Sequence, residues 1–147
     1  MNKEVIYIAA DHAGYNLKEK IKKYLNSKNI IYEDLGGNGD KDDDYPDFAF
    51  KVAKKVSINK NSFGILSCGT GMGMAMAANK VKGIRAALAY DKYSAVMARK
   101  HNNSNVLCLR ARKFSSRKNI KFVKLFLNQE FTGEERHKRR ISKINTR

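Results

Sequence analysis

The sequence predicts an α/β fold, one parallel sheet with helices packed on both faces, and three observations predict it. Short apolar runs at residues 5–10, 30–32, 63–67, 84–89 and 106–109 read as strands apolar on both faces, as in a sheet covered on each side. The segments between them carry apolar residues at helical spacing, so strands and helices alternate along the chain. Glycine-rich and polar punctuation falls at the ends of the strands, where the chain turns into a helix.

The first run leads through Asp11-His12-Ala13-Gly14 into a helix with Leu17, Ile21, Tyr24 and Leu25 on one face. Residues 30–32 make the second strand, and a loop rich in Gly and Asp follows over residues 36–44. Tyr45-Pro46-Asp47 opens the next helix, with Pro46 and Asp47 as start signals and Phe48, Val52 and Val56 at four-residue spacing. Residues 63–67 run straight into Cys68-Gly69-Thr70-Gly71-Met72-Gly73, and the small apolar residues up to Asn79 suit a buried helix in which Met72, Met74 and Met76 fill core. Residues 84–89 read as strand, 91–100 as helix and 106–109 as strand. A further helix turns Ile120, Val123, Phe126 and Leu127 inward, and the charged tail from Glu134 forms a C-terminal helical extension.

At 147 residues, 42% hydrophobic and 10% aromatic, the chain is expected to be a single domain, residues 1–147, whose core needs no disulfides. The N-terminus has no signal-peptide layout, and the apolar stretches fall short of the roughly 20 residues of a membrane span. A cytoplasmic protein without membrane contact is therefore expected, and Cys68 and Cys108 are too few for a disulfide scaffold. The net charge of +16 raises nucleic acid as a partner. Its distribution argues against that: lysines are spread over every helix, acids gather at Asp40, Asp42, Asp43, Asp44 and Asp47, and the densest basic run is confined to residues 136–140 with Lys143 and Arg147. A small anionic substrate explains the local cluster, though not the whole excess.

Ligands of parallel sheets bind beyond the carboxyl ends of the strands. That rule selects Asp11-His12, the 68–73 stretch, Asp91 and Arg112. The glycines at 69, 71 and 73 let backbone approach a ligand closely, and the helix that follows aims free N–H groups and a positive dipole end at it. A cysteine in that field has its pKa lowered from the free value of about 8.5, which enriches the thiolate. A thiolate beside N–H donors suits removal of a carbon-bound proton next to a carbonyl, with the donors stabilising the enediolate oxygen. Thr70 offers a hydroxyl for proton traffic between the two oxygens. The plainer alternative is that Cys68 is a buried small hydrophobe, as Cys108 within its strand is read to be.

A dinucleotide loop is the sharper rival, because Asp91 lies about 20 residues beyond the glycines, where a ribose-binding acid would stand. The spacing is G-x-G-x-G rather than G-x-G-x-x-G, however, and the loop follows the third strand rather than the first. No Gly-Lys-Ser/Thr makes a P-loop, and no histidine pair or C-x-x-C makes a metal site. If the tail is helical, Arg136 and Arg140 share a face and form a phosphate clamp, with Arg112 as a third candidate; a solvated basic tail is the alternative.

Asp11-His12-Ala13-Gly14, Asp44-Tyr45-Pro46, Cys68-Gly69-Thr70-Gly71-Met72-Gly73, Ala78-Asn79-Lys80, Gly83-Ile84-Arg85-Ala86, His101-Asn102 and Arg136-His137 stand in the order found in the type B ribose-5-phosphate isomerases. The sequence resembles that family, which includes the galactose-6-phosphate isomerase subunits, over essentially its whole length. The resemblance implies a Rossmann-like αβα sandwich with a five-stranded parallel sheet, in a homodimer or dimer of dimers whose sites draw on both chains. It implies an aldose–ketose isomerase that interconverts ribose 5-phosphate and ribulose 5-phosphate through an enediolate. A six-carbon phosphosugar is the alternative substrate, and a non-catalytic basic nucleotide- or nucleic-acid-binding module is the alternative from another class.

Carried over position by position, the resemblance makes Cys68 the base that moves a proton between C1 and C2. Thr70 and the N–H groups of Gly69, Gly71, Met72 and Gly73 then stabilise the enediolate. His101 assists opening of the furanose ring, Asn102 holds a substrate oxygen, Asp11 orients sugar hydroxyls and Tyr45 shapes the ring pocket. His12, Arg112, Arg136 and Arg140 contact the phosphate end. No metal, organic cofactor or nucleic acid is implied. Some members use a glutamate a few residues past the cysteine position, but Ala75, Met76 and Ala77 supply no carboxylate here. Two departures stand out: Arg110 replaces a usual glycine, and Glu134-Glu135 stand where a glycine often precedes Arg136-His137. Both glutamates are expected to face solvent.

Overall fold

Five strands, β1 (Val5–Ala10), β2 (Tyr32–Asp34), β3 (Ser62–Cys68), β4 (Ala86–Leu88) and β5 (Val106–Arg110), pair in parallel in the order β2-β1-β3-β5-β4. Six helices accompany them: α1 (Tyr15–Ser27), α2 (Tyr45–Ile58), α3 (Met72–Ala78), α4 (Lys92–Lys100), α5 (Ser116–Leu127) and α6 (Glu135–Asn145). The computed structural model describes residues 4–147 of the chain.

Alternation along the strands divides the core into two layers. Ile6 and Ile8 of β1 with Phe63 and Ile65 of β3 pack against Leu17, Ile21 and Leu25 of α1 and Phe122, Val123 and Phe126 of α5. Tyr7, Ala9, Leu66 and Cys108 face the other way, onto Val52 and Val56 of α2 and Met74 and Ala78 of α3. The three central strands are the buried ones, and the α/β sandwich expected from the apolar runs is what forms.

Several local expectations need correction. β2 begins two residues later than the apolar run at 30–32, because the end of α1 consumes those residues. Asn29 adopts a left-handed φ of 54°, and the Ile30 N–H closes back on Leu25 O, so pairing starts only beyond that turn. β2 and β4 are edge strands, and neither is apolar and buried on both faces; Glu33 and Asp34 are exposed. α5 buries Asn119, Phe122, Val123 and Phe126, while Ile120 and Leu127 are only half-buried at its margins. Of the three methionines on α3 only Met74 is core; Met72 and Met76 are exposed, at 55% and 69%. A helix of seven residues has one turn's worth of inner face, and the other methionines lie outside it. Asp91 is a helix cap, its carboxylate accepting the Ser94 N–H in a reciprocal capping box, which removes the ribose-acid reading.

Lys18 is the unforeseen core residue. Its Nζ donates to Asp34 Oδ1 (3.0 Å), Gly36 O (2.9 Å) and Gly37 O (2.6 Å), so a buried ammonium has all three protons placed. The contacts pin the start of the 36–44 loop to α1. Lys18→Met removes a buried ammonium and strands two carbonyls, so it is expected to destabilise the fold by about 3 kcal/mol, read as a lower urea midpoint.

Candidate active site

β3 delivers Cys68 to the carboxyl end of the sheet, between Ala10-Asp11 of β1's end and Arg110 of β5. The chain then turns at Gly71, whose φ is +78°. A β-carbon there would stand 2.6 Å from Leu88 Cδ1 and 3.0 Å from Leu109 O, so only glycine fits the turn. This turn folds the Gly71 N–H back onto Cys68 Sγ at 3.1 Å, and Thr70 Oγ1 accepts the Met72 N–H at 3.2 Å. Two of the expected oxyanion donors are thus directed internally, one of them to the sulfur. The N–H groups of Gly69, Thr70 and Gly73 have no acceptor among the described residues.

Other expected residues collect around this turn. Arg112 lies across Gly69: a β-carbon on that glycine would be 3.0 Å from Nη1, and the Arg112 N–H donates to Gly69 O. The Tyr45 ring covers Gly73, within 2.6 Å of where a β-carbon would be. Asp11 is buried beside β3, with its N–H on Ser67 O and its Oδ1 accepting the Gly14 N–H. His12 follows it, Nδ1 2.7 Å from Asp43 Oδ1. Arg110 is turned away at the rim, its Nε donating to Arg112 O and its guanidinium 5.9 Å from the Phe114 ring centre. It borders a small cavity of about 120 Å³ with Thr70, Met72, Leu88 and Phe114. Cys108 is fully buried on β5, and burial pushes its thiol well above the ordinary range, consistent with a structural cysteine.

The remaining expected residues lie at the opposite end of the sheet. α4 runs antiparallel to the strands, so His101 and Asn102 fall in the turn that leads into the start of β5. Seven residues of β3 put about 20 Å between that end and Cys68. His101 stacks on His137 of α6, ring centres 4.3 Å apart and planes 18° apart. Burial, then the neighbouring His101 and Arg136, hold the His137 imidazole below the ordinary histidine range. Arg136 and Arg140 are exposed one turn apart on the same helix. Glu134 and Glu135 are exposed as expected, but Glu134 Oε2 takes Arg136 Nε at 2.9 Å. Two arginines absent from the expected set clamp the turn. Arg85 donates to Asn102 O and Asn103 O, and Arg99 to Asn103 Oδ1 and Ser104 O.

The expected residues therefore fall into two groups: a thiol, a carboxylate, a histidine and an arginine at one end, and two histidines with two arginines at the other. The first has the parts for proton transfer beside a carbonyl, and the second the parts for binding an anion. The chain matches a family model described as Ribose/Galactose Isomerase over residues 6–144, and it belongs to that family. Its fold superimposes with a TM-score of 0.93 on the crystal structure of ribose-5-phosphate isomerase B from Mycoplasma genitalium with bound ribulose 5-phosphate, at 51% identity over 97% of this chain and 94% of that one. The Thermotoga maritima ribose 5-phosphate isomerase structure matches with a TM-score of 0.93 at 46% identity, covering 98% of this chain and 99% of that one. Ribose-5-phosphate isomerase B of Mycobacterium tuberculosis H37Rv is 37% identical over 137 residues, 92% of this chain and 85% of that protein.

Proposed function

We propose that the chain is an aldose–ketose isomerase interconverting ribose 5-phosphate and ribulose 5-phosphate, with Cys68 as its base and residues 1–147 as one functional domain. The observation that carries the reading is the thiol at the end of β3, with the Gly71 N–H on its sulfur and Arg112 across the adjoining glycine. Half of the residues are shared with the Mycoplasma genitalium protein whose crystal structure holds ribulose 5-phosphate, which favours the five-carbon pair. With the sugar ring open, the Cys68 thiolate takes the proton from C2 of the aldose. Charge moves onto the carbonyl oxygen, where the loop N–H groups and Thr70 meet it. The thiol returns the proton to C1, and the hydroxyl proton passes from O2 to O1. This shift of a proton within one substrate calls for no redox cofactor.

The ring-opening histidine and the phosphate clamp must come from elsewhere, because His101, Asn102, Arg136 and Arg140 stand at the far end of the sheet. A second copy, placed with that end against the Cys68 loop, completes each site, and a two-fold axis then completes both. The exposed Met72 and Met76 beside the loop, with Tyr90 and Tyr93 at the start of α4, supply the apolar surface that such a contact buries. Among the described residues no helix is long and apolar enough to cross a membrane, and a functional free thiol fits a reducing cytoplasm.

The test is formation of ribulose 5-phosphate from ribose 5-phosphate by the purified chain with chelator present. Turnover that resists the chelator and exceeds that on allose or galactose 6-phosphate is expected. Absence of turnover on every phosphosugar contradicts the reading.

A further inference from the structure

Asp43 lies in the acidic loop before α2, where the sequence shows only a run of aspartates. Its Oδ1 accepts two hydrogen bonds from one residue, the His12 N–H at 3.0 Å and the ring Nδ1 at 2.7 Å. Its Oδ2 is buried and has no partner among the described residues. A carboxylate oxygen buried without a partner is costly, and the group that accounts for keeping this half-buried side chain there is the histidine it faces. Asp11 is the only other carboxylate in the cluster, its oxygen within 4.8 Å, and its Oδ1 already accepts the Gly14 N–H.

The loop that brings Asp43 to His12 is fixed on both sides. Lys18 ties its start through Gly36 O and Gly37 O, and at its end the Asp44 carbonyl accepts the Asp47 N–H as α2 begins. Between them, Asn38 and Asp40 side chains accept the N–H groups of Asp40 and Asp42 in two successive turns, and the Asp43 N–H closes on Asp40 O. The carboxylate is therefore placed by the backbone and not by chance rotation of an exposed side chain.

From this geometry, and resting on the phosphosugar reading of the pocket, we propose that Asp43 is the positioning residue for His12, holding a proton on Nδ1 so that Nε2 faces the substrate phosphate. A free imidazole prefers its proton on Nε2; the short contact to Oδ1 reverses that preference. With Nδ1–H committed to Asp43, a second proton at Nε2 is donated to a phosphate oxygen, and the carboxylate balances the imidazolium from the far side. Asp43 itself touches no reacting atom. Its effect is confined to how well His12 holds the anion.

Long-range nitrogen–proton NMR of the His12 ring in the free protein, at a pH where the ring is neutral, reads the tautomer without reference to activity. The wild-type chain is expected to show Nδ1–H. Asp43→Ala is expected to return the ring to mainly Nε2–H and to raise KM for ribose 5-phosphate about tenfold, the weight of one charge-assisted hydrogen bond, with kcat within about twofold. Asp43→Asn keeps an oxygen acceptor and is expected to retain the Nδ1–H tautomer. An Nε2–H ring in the wild type, or an Asp43→Ala chain with unchanged tautomer and KM, overturns the proposal. Should Asp43→Ala not fold, the wild-type tautomer and the Asp43→Asn chain still decide it. Wild-type chain inert towards phosphosugars but with the Nδ1–H tautomer would leave the pairing standing and remove the isomerase reading.

Discussion

Cys68→Ser is expected to lower kcat by about a thousandfold or more while leaving binding of the phosphate ester nearly unchanged. Serine keeps the size and the hydrogen-bonding position of the side chain, so the Gly71 N–H still has an acceptor and the turn keeps its shape. What changes is the proton affinity: an alkoxide is far less accessible near neutrality than a thiolate, and no other base stands in the loop. Ala75, Met76 and Ala77 offer no carboxylate to take over. Steady-state kinetics with direct titration of ribose 5-phosphate separate the two terms. A serine variant with turnover within about tenfold of wild type would move the base elsewhere, because a general base contributes about a hundredfold or more.

His101→Gln is expected to cost about a hundredfold in kcat/KM, again the weight of one positioned acid–base group. The loss has a particular form. Without a residue to protonate the ring oxygen, the enzyme feeds on the open aldehyde that the sugar releases spontaneously. The rate should then stop rising with enzyme concentration once that supply limits it, whereas the wild-type rate keeps rising in proportion. Glutamine still packs against His137, and Arg85 and Arg99 still hold the turn through backbone oxygens and Asn103, so the scaffold around it survives. A variant whose rate is reduced but remains proportional to enzyme throughout would show that His101 acts after ring opening.

Much of this site was legible in the chain itself, for identifiable reasons. A run such as Val5–Ala10 has one outcome in a covered parallel sheet, and a glycine with positive φ at position 71 after a strand makes a tight turn that folds back onto the buried Cys68. The edge strands were harder. Tyr32–Asp34 pairs on one side only, so its exposed Glu33 and Asp34 follow no burial pattern, and the capping turn at Asn29 shifted its start. Lys18 looked like one more solvated lysine, because a buried ammonium is recognised only by the carbonyls that the 36–44 loop brings to it. Asp43 was hidden in the same way among neighbouring aspartates. His137 did carry a signal: it precedes Ile141 by four residues, the spacing of the two positions that α6 buries. The separation of the two groups is a matter of topology, since residues at the end of α4 must lie across the sheet from the end of β3. The resemblance supplied the idea of shared sites, and the opposite placement of the two groups is what the proposed second copy rests on.

The proposed catalytic unit, made from opposite ends of two copies, is tested most directly by mixing the two variants. Cys68→Ser and His101→Gln chains, co-expressed with different tags and selected for both, form mixed dimers. In each, one site carries both substitutions and the other carries neither. Activity of about half the wild-type value is expected from preparations whose parents are each nearly inactive. Mixed dimers as inactive as their parents would mean that Cys68 and His101 serve the same site from the same chain, and the two-copy account would fall.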